Sequence, residues 1–518
     1  MIKDNLLRGV RTMLAMLVCG VATTSCNLFS DNAISNDSDQ FSKDGKTIWV
    51  LSDTHVMAPE LIQGDIKSLP DNLTQDSKLL IYSAEIFDKV IDEALSAKPD
   101  LLLITGDLTK DGELISHKQV VRTLRKLLNA GVKVVVVPGN HDINNPLGCY
   151  YNGQETAPAE RTSPEQFVEL YKDCGYNMAY SRDNASLSYA CEPFEGLVLL
   201  CIDTNKYDEN TFVENGDESD KNMTSGRIRE ATLKWMLDEA DKARAKGKQV
   251  VALQHHNIVE HFDGQSVLQK NYILDNHENV GLEMMQHGIH LVFTGHTHVL
   301  DIAQYRSKLD ADVDSLIDVE TGSLLSYTNG WRTINVNDDF TKWDISTKYV
   351  KSIPSESDVR KVSYQLFEKS LPAIVNGNVD VLWPAIDSYR SILTDNDLPE
   401  EIIPTTKEEF RELFMEGVGD DICKAFLMHY VGNEGKNAKS AELQTKVKET
   451  VLELIHNRLI ENNLDEESST LLTTFFSGVY DEGFNPILVS MLTDTNQMQE
   501  AGMSSVTDDL ETVLYLKR

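Results

Sequence analysis

Positive charge is scarce in this chain of 518 residues: 48 lysines and arginines face 82 aspartates and glutamates, a formal net charge of -34. A surface this acidic repels nucleic acid and anionic lipid headgroups at long range. The composition therefore excludes a basic nucleic-acid-binding face. An anionic substrate needs a local positive centre, which a bound metal ion could supply.

Cysteine is also scarce, and none of the seven cysteines shows the CxxC spacing of a zinc or redox site. Cys19 and Cys26 lie near the start of the chain. The others are Cys149, Cys174, Cys191, Cys201 and Cys423. Their spacing leaves any disulfide pairing open. Cys201 lies in an apolar run and is expected to be a buried thiol. No serine or cysteine nucleophile stands out.

The first apolar run, residues 13–22, is too short to span a bilayer comfortably. It follows Lys3, Arg8 and Arg11, which predicts a signal peptide over residues 1–25. The next residue, Cys26, completes Thr-Thr-Ser-Cys, which resembles the lipobox of bacterial lipoproteins. That resemblance implies an exported lipoprotein, periplasmic or at the cell surface, that contacts the membrane only through a lipid on Cys26. The alternative is an ordinary cleaved signal with an incidental cysteine.

Two folded domains are expected after a flexible tether over residues 26–45, which is rich in Asn, Asp and Ser. Short apolar strands alternate with helical patterns over residues 46–353, which predicts an α/β domain with a largely parallel sheet. After Pro354, apolar residues recur at helical spacing and strand-like runs are rare. Residues 354–518 are therefore predicted to form a helical accessory domain, in which no chemical motif stands out.

Five polar clusters each follow an apolar strand. They are Asp53-x-His55, Gly106-Asp107, Gly139-Asn140-His141-Asp142, His255-His256 and Gly295-His296-x-His298. Open α/β sheets bind ligands at the carboxyl ends of their strands, so these clusters are expected at one sheet edge. Without metal they would leave buried charges and donors unpaired. Imidazole and carboxylate ligands suit Zn, Fe and Mn.

Together the five clusters resemble the calcineurin-like metallophosphoesterases, whose pattern runs DxH, GD, GNH[DE], H, GHxH, over roughly residues 46–350. The resemblance implies a four-layer α/β/β/α sandwich with two metal ions, Mn, Fe or Zn, at one edge. It places Asp107 between the two ions as a bridge. The other implied ligands are Asp53, His55 and His298 for one ion, and Asn140, His255 and His296 for the second. His256 would support the ligands of this centre without binding an ion itself.

His141 follows the implied ligand Asn140 and is the candidate proton donor; the alternative is a structural hydrogen bond to the sheet edge. Asp111 lies one place later than the aspartate that protein Ser/Thr phosphatases pair with this histidine, so a direct His141–Asp111 contact is not expected. The stretch around Asp111, Gly-Asp-Leu-Thr-Lys-Asp-Gly, resembles the cyclic nucleotide phosphodiesterase branch. The remaining histidines of this domain are expected to be bystanders, although His261 could line the pocket: His117, His261, His277, His287 and His290.

The expected activity is hydrolysis of a small phosphate ester, a diester or a monoester, by a metal-bridging hydroxide. His141 would protonate the leaving alkoxide. One alternative is a nucleotide or diphosphate hydrolase. Another is a non-catalytic surface lipoprotein that binds a ligand on the same fold. Substrate contacts are expected from residues 144–190 and 257–272, while the substrate and the oligomeric state stay open.

Overall fold

A computed structural model describes residues 45–212, 221–305, 315–388, 390, 403–432, 439–493 and 509–516. The predicted signal peptide, Cys26 and all of the tether except its last residue, Gly45, lie outside the described residues. Within the described part of the chain, no helix combines the length and the apolarity that crossing a membrane requires.

Short buried runs form the strands, which are numbered along the described chain. They are β1 (Lys46–Leu51), β2 (Leu101–Ile104), β3 (Lys133–Val136), β4 (Cys149–Asn152), β5 (Glu155–Pro158), β6 (Ala179–Arg182), β7 (Tyr189–Phe194), β8 (Leu197–Cys201), β9 (Gln249–Leu253), β10 (Leu291–Thr294), β11 (Ile302–Tyr305), β12 (Leu316–Glu320), β13 (Gly330–Val336), β14 (Lys342–Tyr349) and β15 (Glu511–Tyr515).

The α-helices of the described residues are numbered in the same way. They are α1 (Asp71–Thr74), α2 (Ser83–Ala97), α3 (Leu114–Asn129), α4 (Pro164–Leu170), α5 (Glu230–Arg244), α6 (Gln265–Leu268), α7 (His277–Gln286), α8 (Val359–Ser388), α9 (Lys407–Phe414), α10 (Asp420–Val431), α11 (Ser440–Glu461) and α12 (Glu466–Thr493). A π-helical turn, Met415–Gly419, joins α9 to α10.

Two mixed sheets form the α/β domain. The first has the order β15-β14-β13-β1-β2-β3, and the second has the order β11-β12-β10-β9-β8-β7-β6. Strands β1, β2 and β3 are parallel, as are β8, β9, β10 and β12. The carboxyl ends of neighbouring parallel strands meet at one edge of each sheet, which is where ligand sites form in α/β proteins.

Strand β8 shows how the layers pack, because its alternate residues face opposite sides. Leu199 and Cys201 belong to the core that joins the two sheets. Val198 and Leu200 belong to a second core, with Met236 of α5 and other residues of the outer helices α5 and α7. Helices α2 and α3 contribute to the core on the first sheet. The predicted four-layer α/β/β/α sandwich is confirmed, and Cys201 is a fully buried thiol. The five cysteines among the described residues are free.

The C-terminal helices share a separate core. It contains Phe367 of α8, Phe410 of α9 and Val451 of α11, and Phe262 of the α/β domain joins it. One element departs from the all-helical prediction after residue 354: strand β15 pairs with β14 at the edge of the first sheet. The end of the chain therefore returns to the α/β domain.

A buried arginine connects this returning segment to the loop that follows β10. Arg332 is fully buried, and its guanidinium donates hydrogen bonds to the carbonyl oxygens of Glu320 (2.9 Å), Asp301 (3.4 Å) and Asp509. The backbone N–H of Ile302 also donates to Asp509 Oδ1 (3.1 Å). The C-terminal segment thus helps to hold the chain just after the Gly-His-Thr-His cluster in place.

Candidate metal centre

Five loops carry the predicted ligands, and each begins where a buried strand ends. Asp53 and His55 follow β1, Asp107 follows β2, and Asn140 follows β3 in the first sheet. The second sheet supplies the ligands that follow β9 and β10: His255, His296 and His298. All of these side chains are buried except that of His298, which is 17% exposed. The structure brings all seven predicted ligand residues together at one edge of the sandwich.

The first group of potential ligands consists of Asp53, His55 and His298. One possible ligand atom from each residue lies within 4.8 Å of the others. The Nε2 atoms of His55 and His298 are 3.2 Å apart. Asp53 Oδ1 lies 3.2 Å from His298 Nε2 and 3.8 Å from His55 Nε2. A carboxylate and two imidazoles that converge in this way form a donor set typical of Zn, Fe or Mn.

The second group consists of Asp107, His255 and His296, whose possible ligand atoms also lie within 4.8 Å of one another. Asn140 belongs beside them, because its Oδ1 lies 3.1 Å from His255 Nε2. An amide oxygen, a carboxylate and two imidazoles make a second plausible set of metal ligands.

Asp107 lies between the two groups. Its Oδ2 is 3.4 Å from His255 Nε2 in the second group and 3.7 Å from His55 Nε2 in the first. Its other oxygen, Oδ1, accepts a hydrogen bond from the backbone N–H of His141 (2.8 Å), which orients the carboxylate. This is the geometry expected of a carboxylate that serves two ions.

Hydrogen bonds orient the histidine rings. The second nitrogen of His255, Nδ1, donates to the Thr105 carbonyl (2.8 Å), and that of His296, Nε2, donates to the Asn271 carbonyl (3.2 Å). His298 Nδ1 lies 3.2 Å from Ser326 Oγ. Hydrogen bonds of this kind place the proton on one ring nitrogen and leave the other as the ligand atom.

The backbone is strained at the same places. Five of the seven predicted ligands have positive φ angles, a conformation that few residues other than glycine adopt: Asp53 (48°), His55 (36°), Asp107 (48°), His296 (78°) and His298 (68°). Gly139 shows how tightly this edge is packed, since a Cβ atom there would overlap Asp107 N and Oδ1. Strain concentrated in this way is typical of functional sites, where the surrounding fold offsets its cost.

The charges of the cluster fit bound cations. Burial raises the pKa of Asp107, but His255 and His141 outweigh burial, and the net pKa is well below the usual value. Burial likewise opposes ionisation of Asp53, while His298 lowers its pKa overall. Two buried carboxylates in their charged form require compensating positive charge. Metal ions bound by the two groups would provide it.

His141 lies at the open side of this cluster, with its side chain 21% exposed. Its Nδ1 donates to the Lys110 carbonyl (2.6 Å) and lies 3.0 Å from Asp111 Oδ1. The expectation that His141 and Asp111 make no direct contact was therefore wrong. The opposite nitrogen, Nε2, lies 3.9 Å from Asp107 Oδ2. His55, Asp107 and His141 also form a third possible metal group, so the geometry alone leaves His141 open as a ligand.

Two neighbouring histidines have structural partners. His256 Nδ1 lies 2.7 Å from Thr204 Oγ1, and its Nε2 donates to the Thr224 carbonyl (2.9 Å). Its ring packs against the His255 and His296 rings, which agrees with support from behind the centre. His261 is also buried, and its Nδ1 lies 2.7 Å from Asp301 Oδ2.

Several residues that shape the site were not predicted from the sequence. Asp142 accepts hydrogen bonds from the backbone N–H groups of Gly139 (2.8 Å), Leu108 (3.1 Å) and Thr109 (2.9 Å), and thereby joins the loops after β2 and β3. Its place in Gly-Asn-His-Asp was the available signal. The Tyr272 ring lies against the His296 ring, with centroids 4.7 Å apart. No motif marks Tyr272.

A two-sheet α/β sandwich, with two adjacent groups of residues at one edge that could each hold a metal ion, is the arrangement expected of a dinuclear metal protein. Comparison with known proteins identifies the family: residues 46–300 match the family described as calcineurin-like phosphoesterase. The part of the chain that holds the candidate centre therefore belongs to the calcineurin-like phosphoesterases, and the family prediction is confirmed.

Two curated proteins match a short part of the chain. A probable cyclic nucleotide phosphodiesterase from Ruthia magnifica subsp. Calyptogena magnifica is 38% identical over 65 residues, which are 12% of this chain and 26% of that protein. A protein of the same description from Vesicomyosocius okutanii subsp. Calyptogena okutanii is 36% identical over 64 residues, with the same coverage. The chain thus spans about a quarter of the length of these curated relatives.

Among solved structures, a dimetal phosphatase from Danio rerio is similar, with a TM-score of 0.42 and 14% identity. The similarity covers 59% of this chain and 96% of that protein.

Proposed function

We propose that this protein hydrolyses phosphate esters with two bound metal ions. The observation that carries the proposal is the position of Asp107, whose carboxylate lies between a group formed by Asp53, His55 and His298 and a group that includes His255 and His296. Two ions held by these residues would supply a water of lowered pKa and a positive field for phosphate oxygens. Their identity, Mn, Fe or Zn, stays part of the proposal.

The chain itself contributes a proton donor. The Nδ1–H of His141 is held by Lys110 and Asp111, so its Nε2 is the nitrogen that faces the cluster. Burial lowers the pKa of His141, but the carboxylates of Asp107 and Asp111 outweigh it and raise the pKa above its usual value. The imidazole is therefore protonated more readily than a free imidazole. A proton at Nε2 can be given to the alkoxide that leaves phosphorus.

The expected substrate is a small phosphate ester. The substrates to be tested include cyclic nucleotides, because two curated relatives carry the description probable cyclic nucleotide phosphodiesterase. A nucleotide or diphosphate hydrolase uses the same centre and differs only in the substrate it accepts. A non-catalytic binding protein, by contrast, would contain metal ions but would turn over no substrate.

The proposal is tested by removing and restoring metal. We expect chelation to lower turnover of a 4-nitrophenyl phosphate monoester or diester by about 10²-fold or more, since the ions provide both the nucleophile and the charge stabilisation. Activity should return with about two ions of Mn, Fe or Zn per chain. Metal binding without turnover of any ester, cyclic nucleotide or diphosphate would indicate a binding protein. Failure to bind metal would contradict the centre.

We also propose that the protein is exported and anchored through a lipid on Cys26. The support is the signal-like start of the chain and the Thr-Thr-Ser-Cys sequence that follows it. Cys26→Ser should move the protein from the membrane fraction to the soluble fraction, because one sulfur carries the acyl chains. Cys19→Ser is the matched control, since that cysteine lies within the segment expected to be removed. Membrane retention of Cys26→Ser would argue against lipidation.

A further inference from the structure

Tyr272 lies beside the metal centre in a segment whose backbone is held in place. Its backbone N–H donates to the Gln269 carbonyl (2.9 Å), and its carbonyl accepts from the backbone N–H of Asn257 (3.3 Å), in the loop after β9. The preceding carbonyl, that of Asn271, accepts the hydrogen bond from His296 Nε2 (3.2 Å). The Tyr272 backbone is therefore fixed against the loops after β9 and β10, which carry predicted ligands.

The Tyr272 side chain combines a fixed inner contact with an exposed surface. Its ring packs against the His296 ring, with centroids 4.7 Å apart and planes inclined by 34°. His296 is buried, yet Tyr272 is 40% exposed. The tyrosine ring thus borders the solvent directly beside a residue expected to bind a metal ion. Because the ring is already held in position, a flat group that stacks on it incurs little further cost of ordering.

Its position distinguishes Tyr272 from the other exposed aromatic residues. Exposure alone would carry little weight, because single apolar residues on a protein surface are common. Tyr180 and Tyr515 lie on the edge strands β6 and β15, and Phe212 packs against the guanidinium of Arg161. Among the exposed aromatic residues of the described chain, Tyr272 alone has its ring against the ring of a predicted metal ligand.

Tyr272 and His141 adjoin different groups of potential ligands. His141 belongs to the possible group with His55 and Asp107. The Tyr272 ring contacts His296, which belongs to the other group. A phosphate bound across Asp107 would have its leaving group at His141, where the proton is supplied. The ester group that stays on phosphorus is therefore the one that can extend toward Tyr272.

We propose that Tyr272 stacks with the base of a nucleoside that stays on phosphorus when a phosphodiester is hydrolysed; this inference rests on the proposed function. The His296 ring separates Tyr272 from the metal position, a gap that the sugar of a nucleotide spans. Stacking on an aromatic side chain accepts any base, since every base has a flat π face. A phosphomonoester has no retained ester group and gains nothing from the contact. Tyr272 therefore directs the enzyme toward diesters that retain a nucleoside.

The experiment compares two diesters with the same leaving group in the full-length, metal-loaded protein. Thymidine 5′-(4-nitrophenyl phosphate) retains a nucleoside when the nitrophenolate departs, whereas methyl 4-nitrophenyl phosphate retains only a methyl group. We expect Tyr272→Ala to lower kcat/KM about 10-fold for the thymidine ester, mainly by raising KM, and by less than about threefold for the methyl ester. Tyr272→Phe should behave like wild type, because stacking uses the ring and not the hydroxyl. Tyr180→Ala is the matched control, since Tyr180 is an exposed tyrosine on the edge strand β6, and it should change neither reaction.

Binding of thymidine 5′-monophosphate gives a second readout that does not depend on turnover. Tyr272→Ala should weaken binding of this nucleotide to the metal-loaded protein about 10-fold and leave the affinity for inorganic phosphate unchanged. Equal losses on both esters, unchanged affinity for the nucleotide, or loss of metal from the variant would each overturn the role of Tyr272. If wild type binds metal and the nucleotide but hydrolyses nothing, the proposed function fails, while the nucleotide affinities of the two proteins still decide whether Tyr272 stacks with the base.

Discussion

Asp107→Asn is expected to lower turnover by at least about 10³-fold and to weaken the binding of both metal ions, because one carboxylate serves both groups of ligands. The structure indicates how the amide would sit. Oδ1 of Asp107 accepts a hydrogen bond from the His141 backbone N–H, so an asparagine would keep its oxygen there. Its NH₂ group would then occupy the position of Oδ2, between His55 and His255. An NH₂ group cannot coordinate a metal ion.

The measurement is metal content per chain, together with kcat on an aryl ester. Asp238→Asn provides the control, since Asp238 is 51% exposed on α5 and pairs with Lys234 one helical turn away. That variant should retain normal metal content and turnover. If Asp107→Asn retained two ions and turnover within about 10-fold of wild type, Asp107 would not be the bridge.

The meeting of the five polar clusters at one edge could be predicted from the sequence, because each cluster follows an apolar strand. A buried parallel strand has a recognisable run of branched residues, and its carboxyl end determines where the next polar residues lie. The assignment of Asp53, Asp107 and Asn140 as metal ligands came from the resemblance to the calcineurin-like metallophosphoesterases. The backbone strain at Asp53 and Asp107 could not be seen, because positive φ angles at these residues follow from the tertiary packing.

The contact between His141 and Asp111 could not be predicted by counting residues. In a strand, a shift of one residue turns a side chain to the opposite face. Here the shift falls in a turn at Gly112, which has φ of 69° and packs against the His141 carbonyl. The turn brings the Lys110 carbonyl and the Asp111 carboxylate to the same ring nitrogen.

Strand β15 was missed for a different reason. Its five residues pair with β14, which lies far earlier in the chain, and they follow a long helical stretch. Pairing across so large a separation leaves no local pattern other than a short β-branched and aromatic run.

Loss of His141 should matter most when the leaving group is poor. An alkoxide needs a proton as it departs, whereas a nitrophenolate leaves largely without one. We therefore expect His141→Ala to lower kcat about 10²- to 10⁴-fold for an alkyl phosphate and by less than about 10-fold for a nitrophenyl ester. Asp111→Asn should cause a smaller loss in the same direction, because the Lys110 carbonyl still holds Nδ1 while the charge that stabilises the imidazolium is gone.

Metal content distinguishes proton donation from the other roles that the structure leaves open for His141. The ring belongs to a possible metal group with His55 and Asp107, and its backbone N–H holds Asp107. Alanine keeps that N–H, so a proton donor can be removed without loss of metal. If His141→Ala lost an ion, His141 would be a ligand. Equal losses on alkyl and nitrophenyl esters with full metal content would show that it positions the substrate, since only proton transfer depends on how basic the leaving group is.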